Sequence, residues 1–498
     1  MTALLASTIP TPKVDWVALS PTLALLAASA TCLLGAVLVP REHRRWFSAV
    51  VAFSGFLAAA MLATDLFRET PDATSMVAES LTRDRLAGYA QVLLACVGIG
   101  AVLVSWGDRR RSHVGEYFSL LTAAGAGMIF FVGAGNLMTL FLGLEWFSIA
   151  LYVLCAMDTD RERSLEAGLK YLVVGSFGST VLLFGAALVY GATGELGLVA
   201  VHDAPGADDP MFVTGMAMMI AGLAFKASAA PFHMWTPDVY EGAPTPVTTF
   251  MAAATKAAAL VVALRLLVVA FPEQDEIWTI AVAVLAVASL VIGNLAALVQ
   301  DDLKRMLAYS SISQAGFMLI AVAANSESGG RALLYYLVPY AAASIGAFAV
   351  VVARERELER PVGFRELAGL GWERPLYGVA MWVFMLAFAG FPLTGGFLGK
   401  FYVFSAAYEA GWWWLVVIGV VATAVSIAYY LGVVRAMYMR THVAVDGTGA
   451  VVVAGGSPPV DVPLAVAVGA AVAVVIGSFV FVQPLVDRAS QAIAHLPL

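Results

Sequence analysis

The sequence predicts an all-α polytopic membrane protein with about fourteen transmembrane helices, and three observations predict it. Hydrophobic residues fill 61% of the 498 positions and charged residues only 13%, a balance that suits lipid rather than water. The apolar runs recur at lengths that fit a helix of about 20 residues, which is what a hydrocarbon core of about 30 Å requires. Basic residues gather in alternate loops between those runs, as they do in chains that cross a membrane many times. The spans fall near 19–39, 46–65, 87–106, 114–133, 136–157, 166–191, 211–244, 247–270, 277–299, 303–324, 331–353, 376–408, 412–436 and 462–483.

Orientation follows from the loops. Arg41, Arg44, Arg45, Arg109, Arg110, Arg111, Arg161, Arg163, Lys304, Arg305, Arg354, Arg356, Arg360, Arg365, Arg374, Arg435 and Arg440 share one side. Only Lys13, Arg68, Arg83, Arg85, Arg331 and Arg488 fall on the other. The basic side is read as cytoplasmic, so both termini face away from the cytoplasm. No basic region precedes an apolar core and a small-residue cleavage site at the start, so the first span is expected to be retained. Cys32, Cys96 and Cys155 are isolated within spans and form no metal-binding or disulfide pattern. No phosphate-binding loop or dinucleotide fingerprint is present, and no nucleic-acid partner is expected from a chain with net charge -7. The energy that drives this protein therefore comes from another chain or from an ion gradient.

Four charges lie inside the spans: Glu145, Lys226, Lys256 and Lys400. Each costs roughly 2.5 to 3.5 kcal/mol at mid-bilayer even on a lenient insertion scale, and the default reading of such groups is an ion or proton path. Span 7 is far longer than one crossing needs and carries Pro231 and Pro237 in its middle. Proline removes a backbone donor and clashes with the preceding turn, so a break is predicted there, with freed carbonyls near Lys226 able to solvate its ammonium. Span 12 has the same design, with GFPLTGG at its centre and Lys400 just beyond.

Two discontinuous spans five helices apart suggest two five-helix repeats, spans 4 to 8 and 9 to 13. Because five is odd, the second repeat is inverted relative to the first, with sites near the midplane. The expected division is 1–110 for an N-terminal three-helix segment, 111–272 and 273–440 for the two repeats, and 441–498 for a C-terminal loop and span 14.

Burial disfavours the charged form of either group in a Glu145 and Lys226 pair, and proximity restores it, so a small change in spacing can switch both. A permanent ion pair holding helices together is the structural alternative. Lys256 and Lys400 have no obvious acidic partner. Lys170, one turn into span 6, is read as a snorkelling charge or a point of proton entry, and His233, within the break, as a relay or a cap for free carbonyls. Arg265 is expected to snorkel to the interface. Tyr309, Ser310, Ser311, Ser313 and Gln314, with Tyr335, Tyr336 and Tyr340, suit a water file or interhelical hydrogen bonds. Asp301, Asp302, Lys304 and Arg305 read as interface charges. The Arg109 to Arg111 cluster is a candidate site for an anionic lipid head group.

Five strings, FLGLEWFSIALYVLCAM, SLEAGLKYLVVGSFGS, LAFKASAAPFHMWTPDVYEGAPTPVT, QDDLKRMLAYSSISQAGF and FPLTGGFLGKFYVF, together resemble the subunit N family of the bacterial proton-pumping NADH:quinone oxidoreductase, respiratory complex I. The resemblance covers roughly residues 80–440. It implies an antiporter-like subunit of the membrane arm in a bacterial inner membrane, with family functional positions at Glu145, Lys170, Lys226, Lys256 and Lys400. Its implied partners are neighbouring antiporter-like and small membrane subunits, with membrane lipids around them. NADH, FMN, iron-sulfur clusters and quinone would be held by other subunits, with no cofactor on this chain. The short stretch after span 14 does not match the lateral helix expected of the distal subunit.

The expected mechanism is proton translocation driven by quinone reduction elsewhere, passing from Glu145 and Lys226 through Lys256 to Lys400. A subunit of a multisubunit cation/proton antiporter is one alternative, against which the lack of a second midplane carboxylate counts. A structural spacer of the membrane arm is the other, and it would not need broken spans.

Overall fold

A computed structural model describes residues 14–70, 73–77, 79–107, 113–204, 209–439 and 461–498. Lys13, Arg109, Arg110, Arg111 and Arg440 lie outside the described residues, and so does the head-group site expected at the arginine triplet. The helices in chain order are α1 (Trp16–Leu38), α2 (Arg41–Glu69), α3 (Arg85–Trp106), α4 (Val114–Val132), α5 (Leu137–Cys155), α6 (Glu162–Thr193), α7 (Leu198–Asp203), α8 (Pro210–Lys226), α9 (Trp235–Gly242) and α10 (Thr245–Ala270). They continue as α11 (Asp275–Ala297), α12 (Leu303–Ala323), α13 (Glu327–Leu358), α14 (Leu370–Glu373), α15 (Pro375–Ala389), α16 (Gly395–Glu409), α17 (Trp413–Met439), α18 (Val462–Val480) and α19 (Val482–Ile493).

Twelve of these are long and apolar enough to cross a membrane. Two shorter apolar helices, α8 and α15, each followed by a break and a further helix, α9 and α16, fall in the two spans expected to be interrupted. Polar caps set where the helices begin. Asp15, Asp84, Asp209, Asp302 and Ser326 each accept a hydrogen bond from an otherwise unpaired amide in the first turn, and Asn136 forms a reciprocal capping box with Thr139.

The chain is mostly helical, and three details differ from the reading of the sequence. A two-stranded antiparallel ribbon, β1 (Thr74–Met76) and β2 (Leu81–Arg83), pairs Ser75 with Thr82 between α2 and α3. Its strands are too short to leave a periodic pattern in the sequence. Helix α19 follows α18 where only the end of the chain was expected, burying Ala489, Ala492 and Ile493 against α3 and α13. The third correction is that Pro237 does not break span 7. It sits in the first turn of α9, where no amide partner is needed.

Burial divides the spans sharply. In α10, α12 and α13, 94% of the most apolar window is enclosed by protein, against 33% in α1, α17 and α18. Polar side chains on those three central helices therefore face other helices. Close approach between spans relies on small residues, because lipid offers no hydrophobic force to bring helices together. At the α6–α8 contact, a Cβ on Gly185 would lie 2.6 Å from the Gly215 carbonyl oxygen, and one on Gly215 would lie 2.7 Å from that of Gly185. This backbone contact holds the N-terminal half of α8 against α6.

Candidate functional site

Helix α8 ends at Lys226 itself, about one turn earlier than the prolines predict. The chain then turns through Ser228 in the left-handed region (φ 62°) before α9 begins. Freed backbone groups at this depth require partners within the protein. The Trp235 indole donates to the Phe225 carbonyl at 3.1 Å, and the Ala230 amide donates to Ser289 Oγ of α11 at 2.8 Å.

Lys226 is 1% exposed, and side chains rather than the unwound carbonyls solvate it. Its Nζ donates to Ser148 Oγ at 2.7 Å and to Tyr171 Oη at 3.0 Å. The ring centroids of Phe147, Tyr171 and Tyr152 lie 4.7, 5.0 and 5.8 Å from the same nitrogen. Tyr171 is held in place by stacking on Trp235 at 4.5 Å, and the Ser148 hydroxyl donates its own hydrogen bond to the Leu144 carbonyl. Glu145 lies one helical turn before Ser148, yet its Oε1 is buried without a hydrogen-bond partner. It forms no ion pair with Lys226, so a permanent structural pair between the two is not what the fold contains.

Lys256 is fully buried at 0% exposure, and its Nζ has no hydrogen-bond partner. The ring of Tyr240 from α9 lies 5.8 Å away. One turn back along α10, the Ala252 carbonyl accepts from Tyr340 Oη of α13 at 3.1 Å, and Tyr340 also meets Ser311 of α12 at 3.1 Å. The polar face of α12 continues from there. Ser310 meets Tyr430 Oη at 2.6 Å, and Gln314 Nε2 donates to Tyr430 Oη at 3.0 Å and to the Phe388 carbonyl at 2.9 Å. Tyr336 Oη donates to Gln314 Oε1. Of the residues expected to form a water file or interhelical bonds, Ser310, Ser311, Gln314, Tyr336 and Tyr340 thus make interhelical bonds, in a seam from α10 to the end of α15.

Lys400 stands at that end, 3% exposed. Its Nζ reaches back from α16 to the Ala389 carbonyl at 3.4 Å and lies 4.1 Å from the Phe317 centroid. Helix α15 stops because Gly390 adopts φ 78°, and a Cβ there would lie 2.9 Å from Lys400 Cδ. Carbonyl solvation of a lysine, expected at the first break, occurs at the second.

Lys170 is half-exposed and joins Glu166 at 2.6 Å and Asp238 at 3.0 Å. Asp238 also binds Arg305 at 2.6 Å, and Arg305 binds Glu241 at 3.0 Å. Lys170 and Arg305 therefore belong to one ionic network that clamps α9 between α6 and α12. His233 is half-buried, and its Nδ1 has no hydrogen-bond partner.

Two other expectations are overturned. Arg265 does not snorkel: it is buried and forms a two-pronged pair with Asp84 at 2.6 and 2.8 Å. Lys304 is not an interface charge, since it is 5% exposed and donates to the Ala243 carbonyl at 2.7 Å. Burial holds the neighbouring Asp302 carboxyl above its ordinary range, although amide bonds and Lys304 pull the other way.

Ser148, Tyr171 and Tyr240 are the members of the site that the residue pattern missed. Ser148 could have been found, because it lies three residues after Glu145 and so on the same helix face. Among the described residues, no three His, Cys, Asp or Glu side chains come together as metal ligands.

Comparisons with known proteins place this geometry in context. A family model described as NADH:quinone oxidoreductase/Mrp antiporter, TM, matches residues 134–426, more than half of the chain. The NADH-quinone oxidoreductase subunit N of Trichlorobacter lovleyi is 41% identical over 430 residues, covering 84% of this chain and 87% of that protein. A chain of respiratory complex I from Thermus thermophilus with bound aureothin superposes with a TM-score of 0.77 at 32% identity, over 95% of this chain and 100% of the other. A chain of the Mrp complex from Dietzia sp. gives a TM-score of 0.83 at 21% identity over 97% of both chains, a likeness of fold alone.

Proposed function

Since the chain belongs to the NADH-quinone oxidoreductase subunit N family, whose members are proton-translocating subunits of the membrane arm, we propose that its protons pass by way of Glu145, Lys226, Lys256 and Lys400. The observation that carries this reading is the seam itself. Three lysines are enclosed by protein, and Lys256, where the seam begins, has no hydrogen-bond partner on its nitrogen. A buried polar group left unpaired costs about 1 to 3 kcal/mol. Glu145, Tyr152, Tyr240 and Lys256 all carry such atoms, and a water or a proton arriving among them relieves that cost.

A signal from quinone reduction elsewhere in the complex changes the spacing of Glu145 and Lys226. Lys226 then exchanges a proton through Tyr171 and Ser148, the change reaches Lys256, and Lys400 releases the proton. Moving one charge across 100 mV takes about 2.3 kcal/mol, equivalent to a change of about fiftyfold in proton affinity. Modest rearrangement at each lysine supplies it. Lys170, in the ionic network at the basic face, is the entry group, and His233 is a secondary relay.

The basic loops hold one another through the Arg163, Glu241, Arg305 and Asp238 contacts, which supports assigning that face to the cytoplasm of a bacterial inner membrane and both termini to the opposite side. The two helix breaks support a division into inverted repeats at 111–272 and 273–440, between the 1–110 segment and the 441–498 tail. Neighbouring antiporter-like and small membrane subunits would pack on the exposed spans, and NADH, FMN, iron-sulfur clusters and quinone would reside on other subunits.

The test is NADH-driven quinone reduction measured alongside proton pumping in vesicles, for Lys256→Ala and Lys400→Ala in fully assembled complexes. Loss of pumping, with turnover slowed or uncoupled, supports the path. Normal pumping and turnover in both variants would make these charges structural.

A further inference from the structure

A cleft of about 870 Å³ opens on the lipid-facing surface between α2 and α3 on one side and α18 and α19 on the other, with α13 as its floor. It lies away from the lysine seam. Along α3 its lining runs from Tyr89 to Leu103, fourteen residues apart, which is about 21 Å of helix. That exceeds half of a hydrocarbon core of about 30 Å, so the cleft is as deep as one leaflet. Small residues create the space, with Gly100, Ala341, Ala342 and Ala470 among the lining.

Charge is confined to one mouth. Arg68 from the end of α2 and Arg488 from α19 stand there, both exposed. Neither has an ion pair or side-chain hydrogen bond among the described residues. Asp487, held by Gln483 at 2.7 Å, is at the same mouth, so two cations and one anion leave a net charge of +1, which suits a single phosphate. A transmembrane helix is the other occupant to weigh. An apolar helix seated there would leave Arg68 and Arg488 without a counter-charge at the mouth, which a phosphate supplies.

We propose that this cleft is a binding site for one phospholipid, with its phosphate between Arg68 and Arg488 and its acyl chain lying along α3 against α13. The position ties the N-terminal helices to the C-terminal pair. Those elements meet α13 along this line, and a lipid seated there fills a gap that protein side chains leave open. The head group takes charge-assisted hydrogen bonds from two arginines whose forked donors match a phosphate, and the apolar wall removes the chain from competition with bulk lipid.

The experiment uses the intact complex in vesicles of phosphatidylethanolamine doped with the same lipid carrying a diazirine at mid-chain. After illumination, crosslinked peptides are mapped on this subunit. Crosslinks are expected near Cys96, which is exposed within the cleft, and near Ala470. They should fall about tenfold in the double variant Arg68→Ala/Arg488→Ala, and also in Ala470→Trp, which fills the cleft without touching the head group. NADH-driven turnover in each variant confirms assembly. Unchanged crosslinking in both variants would overturn the proposal. So would crosslinks to Cys96 from a neighbouring subunit under a bifunctional thiol reagent, because the cleft would then hold protein.

Discussion

The two helix breaks look alike in sequence, yet they solvate their lysines by different means. At the first, Lys226 ends α8 and is met by the Ser148 and Tyr171 hydroxyls and three aromatic faces, with the Glu145 carboxyl on the same helix as Ser148. At the second, Lys400 finds one backbone carbonyl, that of Ala389, and the face of Phe317. A side-chain cage can rearrange by rotamer changes, whereas a helix-end carbonyl moves only with its helix. On the proposed path, the first site would respond to an electrostatic signal and the second would hold a fixed position at the end of the line.

The largest test of this contrast is Glu145→Gln. Only the first site has a carboxylate to act on its lysine, so pumping and coupled turnover in assembled complexes should fall about a hundredfold, the low end of what a positioned proton-transfer group contributes. Wild-type rates would remove the basis for distinguishing the sites. Next comes Gly390→Ala. The left-handed conformation there costs an L side chain roughly 1 to 2 kcal/mol, and the new Cβ would crowd the Lys400 side chain. Thermal unfolding should register that loss and pumping should drop several-fold. The matching change at the first break, Ser228→Gly, relieves the same strain, so its stability should be unchanged or higher.

Ser148→Ala is expected to be milder, because Tyr171 and the three rings remain. Removing one hydrogen bond to a charged group costs about 1.5 to 3 kcal/mol when nothing replaces it, and with those partners in place a reduction of a few-fold in pumping is expected. The smallest effect is Asp238→Asn. Its ion pairs to Lys170 and Arg305 are partly open to solvent, where such pairs contribute about 0 to 1 kcal/mol. Unfolding temperature should shift little, and the shift should shrink further at high salt. A large loss of stability would mean that the network, rather than packing, holds α9.

Much of this was legible in the chain. Apolar run length located the spans, and glycine and proline located the breaks, because bilayer thickness and backbone donors leave few alternatives. The buried lysines were legible for the same reason, since a charge in the middle of an apolar run is costly and stands out in the sequence. What could not be read was partnership. Arg265 lies 181 residues from Asp84, and nothing local separates a buried pair from a snorkelling cation. Lys304 looked like a loop charge because its carbonyl acceptor, Ala243, belongs to a different helix break. Which of two similar lysines would meet hydroxyls and which a carbonyl depends on where α5, α6 and α15 pack. That is set by contacts such as Gly185 against Gly215, far from either lysine.

The most direct measurement is proton pumping by the assembled complex carrying Lys256→Arg. Arginine keeps the positive charge on a slightly longer side chain but does not give up its proton. If Lys256 carries protons, pumping is lost although the charge and the assembly remain. If pumping continues at the wild-type rate, the charge at this position is static, and the path through the buried lysines is wrong.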